Sequence, residues 1–309
     1  MTEEEHLRAN AEAAAAIVES SPDFRVLRRL RLPDPLSLGG TDISAKRFPG
    51  LFVDVETTGL DPREHEAVEL CMWPFMFDVE ANGARSCIAE WGTPRRMLQQ
   101  PASPMPAAMT AIHGLTDEDL RGQVFDQVAI GELLGYQPLV ICHHSQFDRA
   151  FLEKAAPAFA KATFACSMDQ VPWKANGMGS NGLEYLCLKF GAFYDAHHAT
   201  DDCRAGLFLL TQTIGGKTAL QWLIEATRVK SVHVFAYDSP FDSKDLLKAR
   251  GYKWRGDDSG LPKCWHKMIS QEEQQAEWDW LHANVYSHRD PLPAEFRLVG
   301  AVDRFTDRG

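Results

Sequence analysis

The sequence predicts an α/β fold in which a mixed sheet is flanked by helices, with a small α+β module near the C-terminus. One observation is a succession of β-prone segments beginning at Leu51, Val68 and Ser86, whose order indicates an antiparallel meander. A second is the buried-strand pattern at 138–142 that leads into a helix at 147–156, the crossover arrangement of α/β sheets. A third is the order βαββαβ toward the C-terminus, which suits a separate small module.

Length and composition are those of an ordinary globular protein. The 309 residues are 45% hydrophobic and 24% charged, and no apolar run is long enough to span a bilayer. The start, Met1 to Glu5, is acidic and unlike a secretory leader, and the seven cysteines include no C-x-x-C pair. We therefore expect a cytoplasmic protein with reduced thiols. The net charge of -11 argues against a broad basic surface that coats duplex DNA.

We predict three units along the chain: an N-terminal helical extension over 1–50, the α/β domain over 51–230 and the C-terminal module over 231–309. The extension begins with a helix over 2–20 that is rich in alanine and glutamate. The basic and apolar segment 22–32 follows, and we expect it to pack on the α/β domain; the alternative is a contact with nucleic acid. A loop rich in proline and glycine, predicted over 33–48, then leads to the first strand.

Within the α/β domain, capping residues and glycines mark the remaining elements. Thr116 and Asp119 form a capping-box pattern at a helix start, and Gly114 and Gly191 are expected to end helices. The other predicted elements are a loop at 101–106, a strand at 163–166 and helices at 107–112, 183–190, 201–213 and 218–229.

The first strand carries two acidic residues on one face. Asp54 and Glu56 are two residues apart, so their side chains project together from an apolar strand. Two adjacent carboxylates repel each other, and a divalent cation such as Mg²⁺ or Mn²⁺ would relieve that repulsion. The alternative is a half-exposed edge strand with two solvated acids. More ligands elsewhere in the chain are needed to decide between them.

Two later segments supply further acids at the ends of elements. Asp148 follows the strand at 138–142 and lies in the first turn of the next helix, where α/β sheets bind ligands; the alternative is that it complements the helix dipole. Asp202 begins another helix, with His197 in the loop before it. This pair could also be a helix cap with a surface histidine.

Taken together and in order, these motifs resemble the DEDDh family of 3′–5′ exonucleases, which includes the proofreading subunit of bacterial DNA polymerase III. The resemblance covers about Leu51 to Ile214. The matching segments are 54–59, 112–116 and 147–151, with His197 and Asp202.

The resemblance implies an RNase H-like sheet and a metal-dependent exonuclease. It implies that Asp54, Glu56, Asp148 and Asp202 bind two Mg²⁺ or Mn²⁺ ions, and that His197 is the general base. The enzyme would release nucleoside monophosphates from the 3′ end of nucleic acid, with single-stranded DNA as the favoured substrate.

The residues near His197 and Asp202 distinguish the DEDDh family from the branch of its superfamily that uses a tyrosine. His198 has the wrong spacing for the base, and Asp201 is read as a helix-start residue. The tyrosine branch needs Tyr-x-x-x-Asp, but Tyr194 is followed at that spacing by His198, which excludes it. His144 is a departure, because the family often has asparagine before the F-D pair.

Substrate contacts follow from the same resemblance. Thr57, Thr58 and Leu60 lie just beyond the first carboxylates, where a wedge and an anchor for the terminal 3′-hydroxyl are needed. His113 and Phe147 are weaker candidates for contacting the last base or sugar. Three alternatives remain: an exoribonuclease on short RNA, a proofreading subunit bound to a polymerase, and a non-catalytic relative that binds nucleic acid. A homodimer is a further possible assembly.

The C-terminal module contains basic residues interleaved with tryptophans. Lys253, Trp254, Arg255, Lys263 and Trp265 could follow a single strand and stack its bases. The alternative, which we favour, is that both tryptophans pack in the core of the module and the lysines form its solvated rim. The predicted elements are strands at 232–237 and 296–302, a hairpin of 252–255 with 263–268 around 256–260, and helices at 239–250 and 270–286.

Overall fold

The computed structural model describes residues 2–36, 44–256 and 262–306, which form a six-stranded and a four-stranded sheet, two short strand pairs and the surrounding helices. The strands are β1 (Arg28–Arg29), β2 (Lys46–Thr57), β3 (Ala67–Val79), β4 (Ser86–Trp91), β5 (Arg95–Leu98), β6 (Leu139–Cys142), β7 (Thr163–Cys166), β8 (Ala192–Phe193), β9 (Thr213–Ile214), β10 (Lys217–Thr218), β11 (Ser231–Ala236), β12 (Lys253–Arg255), β13 (Cys264–Ser270) and β14 (Ala294–Val299). The α-helices are α1 (Glu3–Glu19), α2 (Ala107–His113), α3 (Asp117–Leu120), α4 (Gln127–Gly135), α5 (Ser145–Ala155), α6 (Leu183–Lys189), α7 (Ala199–Thr211), α8 (Ala219–Arg228), α9 (Lys244–Ala249) and α10 (Gln274–Asn284). In the described ranges, no helix combines the length and apolar character that crossing a bilayer requires.

The six-stranded sheet is mixed. Its order is β4-β3-β2-β6-β7, and β5 also pairs with β3. β2, β3 and β4 are antiparallel neighbours, whereas β6 and β7 run parallel to β2. The predicted mixed sheet with flanking helices is therefore confirmed.

The two-residue strands β8, β9 and β10 and two longer elements of this domain did not follow from the sequence pattern. β5 is short and begins with two arginines, and α4 contains Gly131 and ends at Gly135. Charged residues weaken a strand pattern, and glycine has low helix propensity, so neither segment has a clear local signal. Both elements form because the neighbouring sheet and its core provide their contacts.

Helices cover both faces of the six-stranded sheet. α7 and α8 join the core on the face of β2 that carries Phe52, whereas α4 and α5 pack on the face that carries Leu51 and Val53. Gly206 of α7 lies directly against Phe52, because a Cβ atom at residue 206 would be 1.9 Å from the ring. The absence of a side chain at residue 206 therefore brings α7 close to β2.

The segment after α1 packs on the α/β domain, as predicted. β1 pairs in parallel with β8, and Leu30 is buried in the same core as Ala192. Arg28 connects the segment to α1 through hydrogen bonds to Glu12 and Glu19. The loop predicted over 33–48 lies partly outside the described residues, and its last part belongs to β2.

The four-stranded sheet forms the predicted small α+β module, with the order β12-β13-β11-β14 and antiparallel pairing throughout. Val232 and Val234 of β11 face a core that includes Leu247 of α9 and Leu281 of α10. Both helices therefore pack on one face of the sheet. The hairpin of β12 and β13 is present, although most of its predicted turn lies outside the described residues.

The chain after β14 returns to the α/β domain and contacts the buried side chain of Arg149. Arg149 Nη1 donates to the Arg304 carbonyl at 2.8 Å, and Nη2 donates to the Val302 carbonyl at 2.7 Å. Its Nε donates to Glu153 at 2.6 Å, and the guanidinium lies 4.3 Å from the centroid of the Phe164 ring. This arginine connects α5 to the last part of the chain.

We predict that Arg149→Ala lowers the free energy of unfolding by about 3–5 kcal/mol, because it leaves buried acceptors and the Glu153 carboxylate without their donor. Denaturant unfolding followed by circular dichroism measures the change. Arg29→Ala is the control, because Arg29 forms an exposed ion pair with Asp195 and should contribute little. Equal losses in the two variants would contradict a structural role for Arg149.

Candidate active site

Three carboxylates converge where the end of β2 meets the start of α7. Asp54 and Glu56 project from the face of β2 on which α7 packs, and Asp202 lies in the first turn of that helix. One oxygen atom from each of these carboxylates lies within 4.8 Å of the other two. Asp54 and Glu56 are partly exposed, so the cluster is accessible to solvent.

Asp148 reaches the region of the cluster from the helix that follows the neighbouring strand β6. It lies in the first turn of α5, directly after β6, and its side chain is buried. Asp148 is not part of the group within 4.8 Å, but its charge acts on both Asp54 and Glu56. The sheet therefore brings the four predicted ligands to one region. Their role as ligands stays a prediction.

The acids of this region hold their protons far more strongly than ordinary carboxyl groups. Burial raises the pKa of Glu56 to about 8, and the charge of Asp202 contributes to the shift. Burial also raises the pKa of Asp148 to about 8, although main-chain hydrogen bonds oppose the shift. The pKa of Asp54 is raised well above its usual range, by burial first and then by Asp202 and Asp148.

The donor set fits a hard divalent cation. All four side chains offer carboxylate oxygens, which Mg²⁺ and Mn²⁺ prefer. Burial first, and then repulsion between the carboxylates, raises their pKa values, so holding these charges together is unfavourable without compensating positive charge. The acidic cluster could therefore bind a divalent cation at neutral pH.

Asp202 is oriented by two hydrogen bonds. The Tyr194 hydroxyl donates to Asp202 Oδ1 at 2.7 Å, and the main-chain N–H of His197 donates to Oδ2 at 3.0 Å. Burial raises the pKa of Asp202 although both hydrogen bonds lower it. The spacing of Tyr194 was used only to exclude the tyrosine branch, and it did not predict this contact. A hydrogen bond across a loop leaves no periodic pattern in the sequence.

The two histidines before α7 have different backbone conformations. His197 has φ of +68°, in the left-handed region, and its main chain binds Asp202. His198 is the N-cap residue of α7 with φ of -131°. Asp201 lies in the first turn and forms an ion pair with Arg204. The assignment of His197 as the base stays a prediction.

The buried carboxylate of Glu69 on β3 supports the site and was also missed. Glu69 is paired with Glu56 across β2 and β3, and its carboxylate accepts hydrogen bonds from Arg96 and from the main-chain N–H of Ala199. It therefore connects β5 to the first residue of α7. No local pattern indicates this role, because Arg96 and Ala199 are distant from Glu69 along the chain.

The residues predicted to anchor the 3′ terminus lie at the end of β2 and in the turn that follows it. The Thr57 hydroxyl donates to the Gly59 carbonyl at 2.6 Å, and the Thr58 hydroxyl accepts from the Glu66 N–H at 3.0 Å. Both hydroxyl groups thus stabilise the turn. Leu60 is 77% exposed beyond them, so its side chain is available to contact a ligand.

The two weaker candidates differ in accessibility. His113 is buried, which lowers its pKa, and its Nε2 atom has no hydrogen-bond partner among the described residues. Phe147 is partly buried, and its ring stacks with His144 at a centroid distance of 5.9 Å. His144 thus occupies the position where the family often has asparagine and extends the aromatic surface beside Asp148.

The five residues proposed as accessory contacts do not share one surface. Lys253 and Arg255 line a groove together with residues of the α/β domain. Trp265 packs against the core of the C-terminal module, and Trp254 is 53% exposed beside it, with ring centroids 5.6 Å apart. Lys263 is exposed next to β13.

The family model for exonucleases matches residues 51–210, which is about half of the chain and includes all four acids and His197. The chain belongs to this exonuclease family. The predicted DEDDh resemblance is thereby confirmed, and the protein is an exonuclease.

Several solved exonucleases are similar to this exonuclease. Exonuclease X, in complex with 5′-overhanging duplex DNA, has 20% identity and a TM-score of 0.40, over 55% of this chain and 98% of that chain. The zinc-bound complex of E. coli exonuclease I with single-stranded DNA has 14% identity and a TM-score of 0.44, over 73% and 63% of the two chains. A full-length 3′-exonuclease has 15% identity and a TM-score of 0.40, over 55% and 62%. The exonuclease thus spans less than two thirds of the last two chains. A search of curated protein sequences found no match.

The raised pKa values of the acids predict how stability depends on pH without metal. The folded exonuclease retains protons that the unfolded chain releases near pH 4, so stability should fall as pH rises from about 4 to about 8. In EDTA, the melting temperature should decrease over this range by about 2–4 °C for each kcal/mol lost. Adding MgCl₂ at pH 8 should raise it again.

Asp54→Asn provides the matched comparison, because it removes one charge and keeps the shape of the side chain. Its melting temperature in EDTA should depend less on pH than that of the unchanged protein. Identical pH profiles for the two proteins would show that the acids do not repel one another as the geometry indicates.

Proposed function

We propose that residues 51–230 hydrolyse the terminal phosphodiester at the 3′ end of single-stranded nucleic acid, DNA above all, and release nucleoside monophosphates. The observation that supports this most directly is the group of Asp54, Glu56 and Asp202 within 4.8 Å. Phosphodiester hydrolysis needs concentrated positive charge at the scissile phosphate, and an acidic cluster is the means to bind it.

The cluster with Asp148 would hold two Mg²⁺ or Mn²⁺ ions. Bound ions would neutralise the charge of the phosphate and would make a water molecule more acidic, which is the chemistry that this hydrolysis needs. Because Asp202 is fixed by Tyr194 and by the His197 main chain, its oxygens are oriented before any ligand arrives. Preorganisation of this kind reduces the reorganisation that binding requires.

His197 is the residue we propose to accept a proton from the attacking water. Its main chain is bound to Asp202, so its side chain projects from a loop fixed beside the acidic cluster. Histidine can exchange a proton at neutral pH, which suits a general base. The charge of His197 also acts on Asp202, which supports their proximity.

The terminal nucleotide would lie between two apolar groups at the rim of the site. Leu60 is exposed beyond β2, and Phe147 with its stacked partner His144 lies at the start of α5. An exposed leucine can separate the last base from its neighbour, and an aromatic ring can stack on it.

We expect Asp54→Asn to abolish hydrolysis, because the side chain loses the charge that would bind metal. The assay follows 5′-labelled single-stranded DNA with Mg²⁺, where 3′ removal gives progressively shorter labelled products, and an RNA of the same sequence tests the sugar preference. Asp201→Asn is the control, because Asp201 is a neighbouring acid paired with Arg204. Full activity of Asp54→Asn would refute the proposed site.

The histidine assignment is tested by His197→Asn and His198→Asn. Asparagine tolerates the left-handed conformation of residue 197, so the variant removes the imidazole without imposing backbone strain. We expect His197→Asn to lower kcat by about 10²–10⁴-fold, whereas His198→Asn should change it little. A larger loss in His198→Asn would reverse the assignment of the base.

A further inference from the structure

The four-stranded sheet has a second face that α9 and α10 do not cover. The pairing of the strands identifies the residues on this second face, because paired residues point to the same side of a sheet. His266 of β13 is opposite both Phe235 of β11 and Lys253 of β12. Val232 and Val234 point to the helices, so their neighbours on β11 point away from them. We call this surface the open sheet face; its main residues are His233, Phe235, Lys253, Arg255, His266 and Arg297.

Flat side chains are stacked on the open sheet face. The guanidinium groups of Arg255 and Arg297 each lie 4.9 Å from the centroid of the Phe235 ring. The His233 ring is 4.0 Å from the same ring and shares a 2.8 Å hydrogen bond with His266. Because Phe235 itself is buried, the groups available to a ligand are the arginine and histidine planes above it.

The charge of this face is mainly positive, in contrast to the net charge of -11 for the whole chain. Burial lowers the pKa of His266, and the positive charges of His233, Arg255 and Lys253 lower it further. Glu295 is paired with Arg297, and Asp169 lies on the opposite wall of the adjoining groove. The cationic groups therefore outnumber the acidic groups at this surface.

A groove of about 870 Å³ lies between the open sheet face and the start of α5. Lys253, Arg255 and His266 line one wall, and His144 and Gln146 line the other. The carbonyl of His144 accepts the main-chain N–H of Asp148, and its ring stacks on Phe147. The groove therefore begins beside the proposed position of the terminal nucleotide.

We propose that the open sheet face binds the part of a single-stranded nucleic acid that lies on the 5′ side of the terminal nucleotides. Lys253 and Arg255 contact phosphates, and bases stack on the planes of Arg255, Arg297 and His266. Cationic grooves with flat side chains are a general means of binding single strands, and four-stranded sheets with stacked aromatics bind RNA in this way. The inference rests on the proposed function, because that function supplies the strand.

The open sheet face includes neither of the two tryptophans that the sequence analysis considered as stacking residues. Trp265 is opposite both Trp254 and Ala236, and Ala236 faces the helices and the core of the module. Only Lys253 and Arg255 of the original five residues lie on the open sheet face. A strand in the groove would therefore contact these two residues and would not reach Trp265.

The test measures binding separately from hydrolysis. Fluorescence anisotropy with 5′-labelled dT20 in EDTA reports affinity in the full-length protein, over a range of KCl concentrations. Lys253→Glu should weaken binding about fivefold and reduce the slope of log affinity against log salt by about 0.7, the value for one phosphate contact on a single strand. The control is Lys248→Glu, which makes the same charge change on exposed α9, on the other side of the sheet.

A second variant tests stacking. His266→Ala should weaken dT20 binding about fivefold or more with little change in the salt slope, because it removes a stacking surface and no fixed charge. Thermal melting of each variant identifies loss of folding. Two results would overturn the open sheet face as a binding surface. One is that Lys253→Glu leaves both affinity and salt slope unchanged while folded His266→Ala leaves affinity unchanged. The other is that Lys253→Glu and Lys248→Glu have equal effects.

Hydrolysis of labelled trinucleotide dT3 by the unchanged protein with Mg²⁺ tests the proposed function independently. If dT3 is hydrolysed and the affinity for dT20 is the same in Lys253→Glu as in the unchanged protein, the surface proposal fails and the exonuclease proposal stands. If dT20 binding depends on Lys253 and neither oligonucleotide is hydrolysed, the surface proposal stands and the proposed reaction fails.

Discussion

The close approach of α7 to β2 is the constraint on which the acidic site depends. A side chain at residue 206 would collide with Phe52, so glycine sets the distance between helix and strand. Asp202 lies one turn earlier on α7 and Asp54 lies two residues after Phe52, so the same contact brings their carboxylates together. Close packing also removes water from these acids, and their raised pKa values result from that burial.

Packing repelling charges together costs stability, and the structure offsets this cost with interactions around the cluster. Tyr194 and the His197 main chain hold Asp202, while Glu69 connects Arg96 to the start of α7. Active sites commonly retain such unfavourable charge because function needs it, and the surrounding fold supplies the stability. Binding of a cation would remove the repulsion without changing these contacts.

The sequence predicted the elements whose signals are local. The apolar pattern around Asp54 and Glu56, the capping box at Thr116 and the strand before Asp148 each depend on neighbours along the chain, and the structure contains all three. It did not predict β5, α4 or the contact of Tyr194 with Asp202, because these depend on tertiary packing or on the path of a loop. The division of the chain at residues 50 and 230 stays a prediction, and Arg149 shows why composition alone cannot determine it. An arginine in a helix is normally expected at the surface, yet this one is buried against the end of the chain.

That buried connection also determines what the C-terminal module can contribute to binding. The Phe164 N–H donates to the Ala301 carbonyl, and Phe305 packs against the core of the α/β domain, so β14 leads into a segment attached on the far side of the groove. The module is thus attached at both ends, through α8 before β11 and through this segment after β14. A surface attached in this way loses little freedom when a ligand occupies it, whereas a module on a flexible linker must first be ordered. Weak phosphate and stacking contacts on the open sheet face can therefore add directly to binding at the acidic site.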